Sequence, residues 1–406
     1  MARLNKEKLS ATEKELIEEQ DTLTARKMSE LFTKVKATDE KVLYEIMPSL
    51  EKLMKENLAG KTKILKPLKR PIIDLKFLSE EAEGYLNASP PPKPVLLYYV
   101  EDDGSHSAFL HKEIISMLVA EGGRGKTRSL ILMALCIATG APFFDKYFVE
   151  TRGATAVILG ENNRDDIRRL LYPTSRYLIK KIEDNIKAEK RKFGVHSENI
   201  DDYEEMMRDS ICCMSVQGQN ASFIDSNGNS TDYYKSLLEE LINKEPTEGW
   251  QLIILDPASR FMGMEAEKDN ALATQFMCCL ERLSSSLKGN PTIMMAHHAN
   301  KSDVRDGSSA TQLSRGSGAL TDAARHVGIM KKNKDNEEGN ISIFEISKTN
   351  FTKYHPPMKL KFNRDGIPEF NGWVESKKTS NKKTNTSKGS SSEGFGSSAG
   401  GINTIK

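Results

Sequence analysis

The segment Ala120-Glu121-Gly122-Gly123-Arg124-Gly125-Lys126-Thr127 is preceded by the apolar run IISMLVA, which ends on Ala120, and followed by RSLILMALCIAT. Strand, glycine turn and helix in that order constrain the chain more than anything else in it. Small residues let backbone N–H groups turn inward on an anion. Lys126 is long enough to reach β and γ phosphate oxygens, the Thr127 hydroxyl can hold Mg²⁺, and a helix N-terminus favours negative charge. Ala120 stands where the usual G-x-x-x-x-G-K-[ST] pattern has its first glycine, and that position belongs to the incoming strand. Nucleotide contacts are expected from Gly122, Gly123, Arg124, Gly125, Lys126, Thr127 and Arg128, with ATP and Mg²⁺ as the ligands. A glycine-rich turn with a chance Lys-Thr is the alternative, and the flanking strand and helix argue against it.

Such a loop calls for an acidic residue at the end of another buried strand, where it holds the Mg²⁺ water shell. The sequence Gln251-Leu252-Ile253-Ile254-Leu255-Asp256 supplies Asp256. Hydrolysis also needs a group to orient and deprotonate water, and Ala156-Val157-Ile158-Leu159-Gly160-Glu161 ends a strand on a carboxylate. Glu161 reads as that general base, or else as a cap of the following helix, a role Asn162 and Asn163 would serve equally well. A third strand, TIMMA, ends on His297 and His298. An imidazole there is either a γ-phosphate sensor or polar filler at a strand end.

Around these motifs the chain divides into three. Residues 1–88 look helical and charged: Ser10-x-x-Glu13 has capping-box spacing, and apolar residues from Leu16 to Val35 fall on one helical face. The run Ser89-Pro90-Pro91-Pro92-Lys93-Pro94 reads as a stiff linker. Residues 89–373 alternate short apolar runs with helical patterns: Val95–Val100, Ile114–Ala120, Ala154–Gly160, Cys212–Val216, Leu252–Leu255 and Thr292–Ala296. Fully apolar runs of this length suggest a parallel sheet covered on both faces. Ile341–Ile346 and Met358–Phe362, joined across Pro356 and Pro357, read as an antiparallel hairpin closing one sheet edge. Residues 374–406 are Ser, Lys, Gly, Asn and Thr with almost no apolar content, the composition of a disordered tail.

At 406 residues the chain has room for two to three domains. The net charge of +2 excludes binding to nucleic acid by bulk charge, so any such contact must be local. The segment 375–406 holds six Lys and two Glu, a net of +4, which leaves the rest of the chain at −2. The longest apolar stretch, Leu130 to Phe144, is interrupted by Thr139, Gly140 and Pro142 and is too short to span a membrane. The first twenty residues lack the apolar core of a secretory signal, so a cytoplasmic protein is expected. Cys136, Cys212, Cys213, Cys278 and Cys279 have no C-x-x-C spacing and read as small buried hydrophobes.

The series LVAEGGRGKT, VILGENNRDDIRRLL, LIILDPASRF, MAHHANKS and RGSGALTDAARHV resembles the motifs of the RepA-type hexameric replicative helicases. These are RecA-like P-loop ATPases more distantly similar to the DnaB type, and the resemblance covers about residues 95–365. It implies an α/β class, RecA-like P-loop NTPase core with a mainly parallel sheet and an antiparallel C-terminal hairpin, here carrying a helical N-terminal extension. It also implies that Lys126 and Thr127 hold phosphate and Mg²⁺, that Glu161 is the base, that Asp256 completes the Mg²⁺ shell and that His297 senses the γ-phosphate. In the family a basic residue from one subunit of a ring reaches the nucleotide of the next. Lys348 in FEISKTN matches the Lys of the DnaB-type Lys-x-Arg, with Asn350 in the Arg position; a solvated edge-strand Lys is the alternative reading.

DNA contact in such rings comes from channel loops. NKSDVRDGSSATQLSRG offers Lys301, Arg305 and Arg315 for backbone phosphate contact, against a bland reading as a surface loop. The expected partners are copies of the same chain in a hexameric ring, single-stranded DNA, and replication proteins through the N-terminal helices, with no membrane. The expected function is Mg²⁺-dependent ATP hydrolysis coupled to translocation and duplex unwinding. A recombination or repair ATPase and a non-hydrolytic, nucleotide-dependent scaffold are the alternatives.

Overall fold

The computed structural model describes residues 89–188, 197–263, 265–299, 318–333 and 339–374. The helices expected within 1–88, the tail beyond residue 374, and Lys301, Arg305 and Arg315 lie outside the described residues. Contacts within the chain divide it between Pro91 and Pro92, inside the proline run. Everything described below belongs to the second unit.

The strands are β1 (Val95–Val100), β2 (His106–His111), β3 (Ile115–Ala120), β4 (Tyr147–Val149), β5 (Ala154–Leu159), β6 (Ile211–Ser215), β7 (Trp250–Asp256), β8 (Thr292–His298), β9 (His326–Lys332), β10 (Ile341–Thr349), β11 (Met358–Phe362) and β12 (Pro368–Trp373). The helices are α1 (Lys126–Thr139), α2 (Arg164–Lys187), α3 (Ile200–Ser210), α4 (Asp232–Asn243), α5 (Ser259–Met262), α6 (Asn270–Ser286) and α7 (Gly318–Ala323). Nine strands form one sheet in the order β12-β11-β10-β9-β3-β8-β7-β5-β6. From β9 to β6 every neighbouring pair is parallel, whereas β10, β11 and β12 continue from β9 as an antiparallel extension.

Alternation along the central strands sends side chains into two cores. Leu118, Leu252, Ile254, Met294 and Ala296 join α1, α2 and α3 on one face. Met117, Val119, Ile253, Leu255, Ile293 and Met295 join α4, α6 and α7 on the other. The central strands β3, β5 and β7 are buried along their whole length, as strands sandwiched between helices must be. Helix α1 is buried at every residue except Thr127 and Arg128, which explains why its sequence is apolar all round with no polar stripe.

Three expectations need correction. Val95–Val100 does not join the parallel sheet; β1 pairs antiparallel with β2 and β4 in a separate three-stranded sheet. The turn Asp102-Asp103-Gly104, with Gly104 at φ 82, reverses the chain into a hairpin, and Tyr98 and Tyr99 stay half-buried. The Pro356-Pro357 hairpin exists as β10–β11, yet β12 is the edge beyond it. Three of the five cysteines are not buried: Cys212 and Cys213 lie on the edge strand β6, and Cys278 is half-buried on α6. Strand β9 had no clean apolar signature because Gly328 interrupts it. That glycine is required, since a Cβ there would stand 2.9 Å from the Phe344 ring of β10.

Among the described residues no helix is long and apolar enough to cross a membrane.

Candidate active site

The carboxyl ends of β3, β8, β7 and β5 come together at one edge of the sheet, the edge at which open α/β sheets bind ligands. Register aligns them: Ala120 lies opposite His298, Leu255 opposite Met295, and Leu159 opposite Asp256. The glycine loop leaves β3 here and enters α1 through Gly125, whose φ of 78 is left-handed, as is the φ of 73 at Gly123. Side chains other than glycine rarely take that conformation, so the turn that aims the loop N–H groups depends on these two positions. A Cβ at Gly122 or Gly123 would meet no atom within 4 Å, so the loop stands open on its outer side. Arg124 does not reach into that space, because its Nε donates to Glu121 Oε2 at 3.1 Å across the loop.

Lys126 lies under the loop, 6% exposed. Its Nζ donates to the carbonyl oxygens of Ala120 at 2.8 Å and Glu121 at 3.2 Å, and stands 3.2 Å from His298 Nδ1. Burial pushes its pKa down, against the charges of Asp256 and Glu161. The next residue, Thr127, donates its hydroxyl to Asp256 Oδ2 at 2.6 Å, joining α1 to the end of β7. Burial pushes the Asp256 pKa up and Glu161 adds to the rise, while the Thr127 bond, Lys126 and His298 oppose it. A buried carboxylate with its charge only partly compensated, beside a hydroxyl, is a fit donor pair for a hard divalent cation that keeps most of its waters. Among the described residues no cluster of three or more His, Cys, Asp or Glu is suited to a metal.

Glu161 is exposed, one residue beyond Gly160 at the end of β5. It does not cap α2; that role falls to Asn163, whose side chain accepts the Asp166 N–H while Asp166 returns a bond to the Asn163 N–H. The Glu161 carboxylate therefore stays turned to the site, close enough to act on both Lys126 and Asp256. Gln217 Nε2 donates to the Glu161 carbonyl oxygen at 3.1 Å and fixes the backbone there.

The two histidines point to opposite sides. His298 shares the face of Met294 and Ala296, so it reaches Lys126. His297 follows Ile293 and Met295 to the other face and is buried, with its pKa lowered to about 4 by burial and, less, by His298 and Lys126. The motif series points to His297, whereas the geometry brings His298 to the loop. Strand alternation from Met294 is the signal that finds it.

Lys348 lies away from this edge. It pairs with Val327, which lies opposite Met117, well before the end of β3. Its Nζ donates to the carbonyl oxygens of Thr321 at 3.0 Å and Asp322 at 2.5 Å, capping α7. Burial lowers its pKa; Asp322 opposes this, and Arg325 lowers it further.

The AAA domain family model matches residues 74–304, more than half of the chain. Among solved structures, the chain is similar to an isolated ATPase domain, with 15% identity and a TM-score of 0.41 over 64% of this chain and 84% of that one. It is also similar to a DnaB-like replicative helicase whose structure is described with its interactions with primase. The identity there is 16% and the TM-score 0.44, over 85% of this chain and 77% of that one. No curated protein matches the sequence. With a glycine loop between β3 and α1, a buried lysine beneath it and an Asp–Thr pair beside it, the chain belongs to the AAA domain family and is a P-loop ATPase.

Proposed function

We propose that the protein hydrolyses ATP with Mg²⁺ and couples hydrolysis to translocation on single-stranded DNA and duplex unwinding, as a RepA-like replicative helicase. The observation that carries the reading is the 2.6 Å bond between Thr127 and Asp256 beside the buried Lys126, with the uncapped Glu161 at the same sheet edge. The motif series supplies the helicase part of the reading.

In this account the loop N–H groups from Gly122 to Thr127 and the Lys126 ammonium hold the β and γ phosphates. Lys126 would exchange its carbonyl contacts for phosphate oxygens. Mg²⁺, held by Thr127 and through water by Asp256, would neutralise charge on those oxygens. Glu161 orients the attacking water and takes its proton. His298 donates to a γ-phosphate oxygen, a role that fits its contact with Lys126 better than the buried position of His297 does.

Lys348 lies toward the other end of its own sheet, which suits action on the nucleotide of an adjacent copy in a ring. Lys301, Arg305 and Arg315 supply the phosphate contacts to DNA.

Glu161→Gln tests the chemistry. The variant is expected to bind ATP as the parent does and to lose turnover by about 10²-fold or more. Unchanged turnover in Glu161→Gln contradicts the assignment of the base. A parent protein that binds ATP without turning it over leaves the non-hydrolytic scaffold in its place.

A further inference from the structure

The hairpin of β11 and β12 lies directly against the glycine loop, and phosphate binding alone does not require that contact. A Cβ at Gly125 would stand 2.4 Å from Phe362 Cε1 and 2.9 Å from its Cζ, so the ring covers the backbone just before Lys126. The turn that follows Phe362 reaches the residue after Thr127: a Cβ at Gly366 would be 3.3 Å from Arg128 Nε. Burial lowers the Arg128 pKa, and Asp365 on the same turn opposes the shift. Asn363 holds the turn in place. Its Oδ1 accepts the N–H groups of Asp365 and Ile367, each at 3.0 Å, and its Nδ2 donates to Glu369 at 3.2 Å. Arg128 Nη1 is nevertheless buried without a hydrogen-bond partner. A buried donor left unmet is costly, so such a group calls for an acceptor.

Thr127 and Arg128 are the two residues of α1 that are not buried, and they mark the side on which the helix start is open. Phosphates seated on the loop send the rest of a nucleotide out past this first turn. What stands there is an aromatic ring beside an unsatisfied guanidinium. That combination offers a flat apolar surface for a sugar or base and a donor for one of its polar atoms.

We propose that Phe362, Arg128 and the 363–366 turn form the wall of the nucleotide site on the nucleoside side. The Phe362 ring packs on the nucleoside and Arg128 Nη1 donates to an acceptor of it. The inference rests on the ATPase reading and adds to it the part of the ligand that the phosphate loop does not recognise. It also gives the C-terminal antiparallel strands a binding role.

Isothermal titration calorimetry of the full chain with Mg²⁺, using ATP and inorganic tripolyphosphate in parallel, separates the two halves of the ligand. Phe362→Ala and Arg128→Gln are each expected to weaken ATP about tenfold or more, while tripolyphosphate affinity changes less than about twofold. Equal loss for both ligands would mean that the ring only braces the loop, and it overturns the proposal. Unchanged ATP affinity in the variants overturns it too. Should Phe362→Ala fail to fold by its thermal melt, Arg128→Gln carries the test alone. Parent protein that binds neither ligand removes the nucleotide reading and this wall with it; binding without a selective loss in the variants removes the wall alone.

Discussion

At the scale of single residues, the site is a problem in charge and burial. Lys126 and Asp256 are both taken out of water, and burial disfavours the charged form of each. Each partly compensates the other, and the Thr127 hydroxyl adds a bond to the carboxylate. Such a pair is poised to be completed by ligands of opposite sign, phosphate for Lys126 and a divalent cation for Asp256. The histidines give a sharper test, because their neighbouring positions face opposite cores. His298→Ala is expected to lower kcat about tenfold to a hundredfold with a smaller change in KM, and His297→Ala to alter stability more than turnover. Steady-state kinetics and thermal melts of the two variants check this, and the reverse pattern would return the role to His297. The glycine loop, Lys126, Thr127, Asp256 and Glu161 were legible in the sequence because each ends a strand or begins a helix in an ordered series. The choice between His297 and His298 turned on strand parity. The Phe362 contact with Gly125 joins residues far apart in the chain, and no local pattern announces it.

At the scale of elements, the buried parallel strands were legible because their apolar runs are continuous, and β1 was misread for the same reason. Apolar content alone does not say which sheet a strand enters; the Asp-Asp-Gly turn after it and the short β4 decide that. Where the small sheet meets β9 and the loop before β11, three histidines are buried: His111, His326 and His355. Phe109 lies edge-on to His326 at 5.2 Å and to His355 at 5.9 Å, and Tyr147 lies 5.7 Å from His355. Burial lowers the His326 pKa to about 3, with His355 and His111 adding to the fall, and lowers that of His297 to about 4. Both values lie below the ordinary 6.5, so the unfolded chain binds more protons between those limits and stability rises with pH there. The stability is fully present above about pH 6.5 and is lost as the pH falls toward 4 and then 3. At about 1.4 kcal/mol per pH unit for each group, the loss is on the order of several kcal/mol. Urea midpoints measured from pH 7.5 down to pH 4.5 should fall steadily, and a flat profile would contradict the burial of these imidazoles as neutral rings.

At the scale of the whole molecule, charge sets the terms for the DNA reading. A body at −2 with a tail at +4 has no bulk attraction for a polyanion, so grip must come from a few cations repeated around a ring. Single-strand binding by Lys301, Arg305 and Arg315 should therefore depend steeply on salt, with each phosphate contact adding about 0.7 to the slope of log affinity against log salt. The expected helices of 1–88 and the tail were read from composition and periodicity alone and lie outside the described residues. The most direct measurement is ATP turnover by the full chain with and without single-stranded DNA, alongside strand separation on a forked duplex and particle size by light scattering. The account predicts turnover stimulated by DNA, ATP-dependent separation of the strands and a particle several times the 45.4 kDa chain. Equal turnover with and without DNA, no strand separation and a particle of monomer size would contradict it.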